Sequence, residues 1–346
     1  MTNKEPVRLP AEWEPQGAVL LAWPHAETDW VDMLPEVRDC YTQLAKAIAG
    51  RASLIVAGPD LDSARVMLAD IDTERIHFVR VDTNDTWTRD YGAITTVSPD
   101  GTPTLHDFCF NGWGLKFAAC HDNTVTRALI AGGTLTGRYD NRLGFVLEGG
   151  SIDSDGQGTI LTTSACLLSP NRNGDMSRSQ IEEELRRTLG TEHVLWVDYG
   201  ALAGDDTDSH IDTLARLAPN DTILYTGCSD PADEHFDQLQ AMAGQLSELR
   251  TADGKPYNLV ELPLPDAVYD EDGERLPATY ANFLPLNGAI LMPVYGQPDK
   301  DRLACDILRV VFDGYEIVPV DCTALIRQHG SLHCATMQFP KQAFIP

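Results

Sequence analysis

Positive charge is scarce in this chain: 26 lysines and arginines stand against 52 aspartates and glutamates, a formal net charge of −26. Such a surface repels phosphate backbones and anionic lipid, so no nucleic-acid and no membrane partner is expected, while small cations are drawn in. Long apolar runs are missing too. The longest, such as that from Ala18 to Trp23, fall far below the ~20 residues that cross a bilayer, and the opening MTNKEPVRLPAEWEP has no apolar leader, so a cytoplasmic protein is expected. The eight cysteines, at 40, 109, 120, 166, 228, 305, 322 and 334, include no CxxC pair, which argues against structural zinc and against a disulfide scaffold. No low-complexity segment, linker or charge block divides the sequence, and a single domain over residues 1–346 is expected.

What is present is ample material for a core, with 43% hydrophobic residues against 23% charged. Short apolar runs at 17–23, 53–58, 77–82, 193–198, 257–265 and 315–321 read as buried strands. Helix-period segments cover Met33–Ala49, Asp60–Asp70, Asn123–Ala131, Ser177–Leu189, Asp233–Leu249 and Asp299–Phe312. Strand–turn–strand hairpins are predicted at Gly92–Phe108, Val146–Leu168, Ser209–Tyr225 and Tyr280–Tyr295, with turns at SPDGTP, DSDGQG, APND and NG. Hairpin, helix and single strand recur every sixty to seventy residues or so, which fits a radially repeated α/β arrangement or an ordinary doubly wound sheet.

Four segments concentrate polar residues beyond what periodicity requires: Trp87-Thr-Arg-Asp90-Tyr-Gly, Leu147-Glu148-Gly-Gly-Ser, Asp205-Asp206-Thr-Asp-Ser-His210-Ile-Asp212, and His329-Gly-Ser-Leu-His-Cys334. Glu148 precedes two glycines at a strand end, where backbone lies open to a ligand. Asp90 reads either as a surface ion pair with Arg89 or as a ligand for a buried cation. Read as strand, His210-Ile-Asp212 puts both polar side chains on one face, and the carboxylate then raises the imidazole pKa and keeps it a proton donor near neutrality. Cys334 follows a Gly-Ser turn, and a reactive thiolate there requires nearby positive charge, which a bound cation supplies.

In order and separation these segments resemble the agmatine deiminase and bacterial-type peptidylarginine deiminase family of guanidine-modifying enzymes. The likeness extends through Pro10-Ala-Glu-Trp13, Leu21-Ala-Trp23-Pro, Asn111-Gly-Trp113-Gly, Asn171-Arg-Asn173, Tyr280-Ala-Asn-Phe283 and Asn287-Gly288, nearly the whole chain. It implies the pentein fold, an α/β-propeller of five ββαβ units in pseudo-fivefold arrangement around a central active site. It places the nucleophile on Cys334, the general acid/base on His210, and guanidinium-binding carboxylates on Asp90, Glu148 and Asp212. Departures occur at Leu115, Asp206, Ser209 and Ser331, where relatives often carry Gly, Glu, Gly and Asn.

The chemistry so implied is hydrolysis of a small cationic guanidine to a ureido product and ammonia through an S-alkylthiouronium on Cys334, with no cofactor and no metal. Trp87 and Asp206 suit the distal ammonium of agmatine through cation–π and Coulombic attraction. By analogy a homo-oligomer, a dimer first, is expected. The alternatives are peptidyl-arginine or free arginine as substrate, a non-catalytic pentein used for binding, and calcium held by Asp205, Asp206 and Asp208.

Overall fold

The computed structural model describes residues 7–344; the first six residues, on which the reading of no leader partly rests, and the last two lie outside it. Among the described residues sixteen strands form five small sheets. In chain order they are β1 (Gln16–Ala22), β2 (Ser53–Gly58), β3 (Ile76–Arg80), β4 (Ile94–Val97), β5 (Pro103–Cys109), β6 (Arg138–Val146), β7 (Ile152–Ser154) and β8 (Thr159–Thr163). They continue with β9 (His193–Val197), β10 (Ala215–Ala218), β11 (Thr222–Gly227), β12 (Asn258–Pro263), β13 (Leu284–Leu286), β14 (Ala289–Val294), β15 (Glu316–Asp321) and β16 (Met337–Pro340). Five helices of ten residues or more lie among them in the described residues: α1 (Leu34–Ala49), α2 (Asp122–Ala131), α3 (Arg178–Leu189), α4 (Phe236–Glu248) and α5 (Pro298–Val311).

Four sheets repeat one pattern. An antiparallel hairpin (β4-β5, β7-β8, β10-β11, β13-β14) is followed by a helical crossover and a strand parallel to the hairpin's second (β6, β9, β12, β15). The fifth sheet, β16-β1-β2-β3, takes its antiparallel member from the far end of the chain, pairing Ala18 with Phe339. Both ends are thereby tied into one sheet. This is an α/β fold with mixed sheets, and the single continuous sheet of a doubly wound fold is replaced by five separate ones.

Local chemistry explains the elements. The hairpin β13-β14 turns at Asn287-Gly288 with φ of +44° and +82°, the left-handed pair that a two-residue turn matching strand twist needs. In α1, Val37, Cys40, Tyr41, Leu44, Ala45 and Ile48 recur at helical spacing and are all buried. Helix α3 opens with a Ser177/Gln180 capping box and ends at left-handed Gly190. Two strands escaped the sequence pattern. Half-exposed β6 lacks an apolar alternation, and β16 is four residues long.

One expectation is corrected. His210-Ile-Asp212 is no strand: His210 caps a short helical turn, Ile211–Leu214, that leads into β10. The two side chains therefore do not share a face by strand periodicity.

Candidate active site

Each unit contributes the loop immediately before its leading strand. Asp90 lies on the turn Thr88–Tyr91 before β4, Glu148 caps the 3-10 turn Gly149–Ser151 before β7, and His210 and Asp212 precede β10. Asn282 precedes β13, and Cys334 precedes β16. Residues spread over the whole chain thus meet because five similar units present the same loop.

Gly150 marks the point of convergence. A Cβ built on it would lie 2.7 Å from His210 Nδ1, 2.9 Å from Asp90 Oδ1 and 3.1 Å from Asp212 Oδ2. Only glycine leaves that space free. The Cys334 sulfur lies 3.8 Å from Asp212 Oδ2 and 3.4 Å from Asn282 Oδ1. Both ring nitrogens of His210, and Asp212 Oδ1, are buried without a hydrogen-bond partner. Buried polar groups are ordinarily paired, so three open valences in one place point to a polar ligand.

Behind this face His333, Glu12 and Arg216 form a paired polar cluster. His333 Nδ1 meets Asp212 Oδ2 at 2.7 Å, and its Nε2 lies 2.9 Å from both oxygens of Glu12. Glu12 also accepts from Arg89 at 3.0 Å and from Arg216 at 2.7 Å, and Arg216 bonds Asp153. Arg89 therefore pairs with Glu12 and not with Asp90, which is itself buried. Asp90 accepts instead from Trp113 Nε1 at 2.9 Å and from the Gly150 amide at 3.0 Å. Trp113 is aimed by a turn of four left-handed residues, 112–115, with non-glycine Trp113 at φ +53° and Leu115 at φ +70°.

Burial and neighbouring charge set the protonation states. Burial lifts the Asp90 carboxyl well above the usual range, and Asp212 and Glu148 add to the rise. Burial, Asp212 and Asp90 likewise push the Cys334 thiol well above its ordinary value. Burial would raise Asp212 too, but the hydrogen bond and charge of His333 hold it low. His210 departs from expectation. Burial depresses it to about 3 despite Asp212, so the ligand-free imidazole is neutral and a proton acceptor, not the charged donor read from the sequence. A cation arriving between Asp90, Asp212 and Cys334 reverses the penalties on all three.

Glu148 is fully buried, and both its oxygens accept from Arg172 Nε, at 2.9 and 3.0 Å. Burial pushes its carboxyl up while Arg172 opposes the rise. Arg172 also reaches Asp208, which pairs in turn with Lys116. Glu148, Cys166 and His210 offer donor atoms within 4.8 Å of one another, but the guanidinium seated on Glu148 disfavours a metal cation there. The partners of the aspartate run likewise disfavour calcium there. Asp205 accepts from Thr207 and Ser209, and Asp208 is spent on Arg172 and Lys116.

From Cys334 and Asp90 a cleft of about 460 Å³ opens outward, lined by Trp30, Trp87, Asp29, Asp85 and Asp206 among others. Trp87 is a wall residue and also a packing one. Its ring leans on Trp30 with centroids 5.6 Å apart and fills the space beside Gly330. Asp85 is lifted to about 8 by burial and by Asp122, Asp29 and Asp206. Burial lifts Asp206 as well.

The geometry thus brings together Cys334, His210, Asp90 and Asp212, sets Glu148 beside them through Arg172, and puts Trp87 and Asp206 on the cleft. Sequence reasoning overlooked Glu12, Asp85, Trp113, Arg172, Asn282 and His333. All but Asp85 stood inside segments already matched, but nothing local tells which way such side chains face.

The chain's likeness to known proteins agrees with this layout. The sequence profile described as Porphyromonas-type peptidyl-arginine deiminase matches residues 8–340. The agmatine deiminase of Stutzerimonas stutzeri is 32% identical over 352 residues, 96% of this chain and 95% of its own. A C. jejuni agmatine deiminase solved with substrate bound is 36% identical, with a TM-score of 0.91 over 98% of this chain and 97% of its own. A Porphyromonas gingivalis protein provisionally assigned as an arginine deiminase is 48% identical, with a TM-score of 0.93 over 98% of this chain and all of its own.

Proposed function

The chain belongs to the Porphyromonas-type peptidyl-arginine deiminase family, and on that footing we propose that it is an agmatine deiminase, converting agmatine to N-carbamoylputrescine and ammonia. In this reading the five sheets are the blades of one pseudo-fivefold catalytic propeller, and its axis is where the five loops meet.

Asp90 and Asp212 hold the guanidinium nitrogens by charge-assisted hydrogen bonds, strengthened by the burial of both carboxylates. Glu148, fixed by Arg172, supports the imidazole of His210. The cation lowers the cost of a thiolate, and neutral His210 takes the Cys334 proton as sulfur attacks the central carbon. His210 then returns that proton to the departing nitrogen, the C–N bond breaks, and ammonia leaves an S-alkylthiouronium cation. In the second half His210 draws a proton from water, the oxygen adds to the same carbon, and collapse breaks the C–S bond. The products are the ureide and regenerated Cys334, and the remaining proton ends on ammonia. No step calls on a metal or an organic cofactor.

The observation that carries agmatine over arginine is the lining of the cleft. It holds Asp29, Asp85, Asp90 and Asp206, and no lysine or arginine. An α-carboxylate would meet like charge there, whereas a lone distal ammonium meets aspartates and indole faces. Arg89, the cation nearest in sequence, faces Glu12 instead. The test is to incubate the purified protein with agmatine, arginine and an arginine peptide, and to measure ammonia and ureido product. Agmatine is expected to turn over far faster than the other two; faster turnover of arginine or the peptide overturns the substrate, and ammonia from none overturns the activity.

A further inference from the structure

A second cavity, of about 480 Å³, shares no lining residue with the substrate cleft. Three buried polar atoms of residues lining it lack a hydrogen-bond partner: Arg89 Nη2, Gln16 Oε1 and Gln338 Oε1. Gln16 is oriented, because its Nε2 donates to the Glu12 carbonyl and leaves Oε1 as the free acceptor. One donor and two acceptors are therefore open. The charges lining it are already paired, Glu12 with Arg89 and Asp153 with Arg216, which lies outside the lining and also reaches Glu12. A charged ligand would break that pairing, so the occupant is neutral.

The open valences call for one accepting oxygen with N–H donors around it, which is the pattern of a ureide or primary amide. Ile94, Ile152 and Met337 line the same cavity and suit an alkyl chain. A chain of polar contacts joins it to the cleft: Glu12 to His333 at 2.9 Å, His333 to Asp212 at 2.7 Å, and Asp212 to the Cys334 sulfur at 3.8 Å. We infer that this cavity is a second ligand site, for a neutral N-alkylurea or primary amide, separate from the substrate cleft. That the physiological occupant is the reaction's own ureide rests on the function proposed above; binding itself does not.

Titration calorimetry of the intact protein with N-propylurea tests it. One saturable site is expected, weakened at least tenfold by Gln338→Leu and retained by Gln338→Asn, which keeps a neutral acceptor oxygen. Gln338→Met, read with a melting curve, separates loss of that acceptor from misfolding. In Cys334→Ser protein, saturating agmatine is expected to leave the urea's heat unchanged. Absence of saturable heat, displacement by agmatine, or full affinity in the folded Gln338→Leu and Gln338→Met proteins overturns the site. If N-propylurea binds as stated while no guanidine is hydrolysed, this site stands and the reading of the cleft falls.

Discussion

His210 and His333 are both 1% exposed and both lie near Asp212, yet they are wired in opposite ways. His333 has acceptors at both ring nitrogens and helps hold Glu12 well below the usual carboxylate range, against the burial that would raise it. His210 makes a hydrogen bond at neither nitrogen, its Nδ1 lying 3.6 Å from Asp90 Oδ1, and burial, helped by the charges of Arg172 and Lys116, drives it down. One face of the site is finished by the fold and the other waits for a ligand. Saturation marks scaffold, and open valence marks chemistry.

The largest effect should come from the open face. Cys334→Ser or Cys334→Ala is expected to lower ammonia release by at least about 10⁴-fold while leaving the melting temperature near wild type. Normal turnover in either would remove the nucleophile assignment. Next is Gly150→Ala, whose new methyl falls on His210, Asp90 and Asp212 at once. A drop in kcat of roughly 10²-fold or more is expected, and a fully active variant would mean that the convergence point is not where the substrate sits.

The two histidines should then separate by assay. His333→Ala removes the charged partner of buried Asp212 and one of the three partners of Glu12, and is expected to cost about 3–5 kcal/mol in denaturant unfolding. His210→Ala should abolish turnover at a smaller cost in stability. If the order of the two stabilities is reversed, the contrast drawn here fails.

At the cleft mouth, Asp206→Asn is expected to raise KM for agmatine roughly tenfold with little change in kcat; an equal loss in both would mean Asp206 does not read the distal amine.

The smallest effect is a proton. Asp85 sits at about 8 when ligand-free, so between the ordinary carboxylate range and pH 8 the folded chain keeps a proton that the unfolded chain has lost. Its contribution to ligand-free stability therefore falls as pH rises through that window. A bound ammonium favours the carboxylate, so agmatine binding near pH 7 should release protons and tighten towards pH 8. Binding heats that do not change with buffer ionisation enthalpy would exclude this.

Much of the fold was legible because its signals are local. Turn chemistry at Asn287-Gly288 and the apolar period of α1 need no knowledge of the rest of the chain. β6 was hidden by its exposure, and His210-Ile-Asp212 was misread because a two-residue period is shared by a strand and by chance. Within the site, residue type singled out the segments carrying Asp90, Glu148, His210, Asp212 and Cys334, and the family resemblance assigned their roles. Glu148 was placed beside His210, and its donor atom does lie within 4.8 Å of that ring, but no sequence rule says that Arg172 would take both its oxygens.

By itself, then, the sequence determined which strands and turns form, the acidity that favours a cation, and the residues able to do thiol and imidazole chemistry. Those follow from propensity, periodicity and composition, which act over a few residues. Only the tertiary structure decided which polar atoms were left without partners, that His210 is neutral, and that Arg89 turns away from Asp90. Protonation and pairing depend on desolvation and on charges brought in from distant loops, and those distances exist only once the loops before β4, β7, β10, β13 and β16 have met.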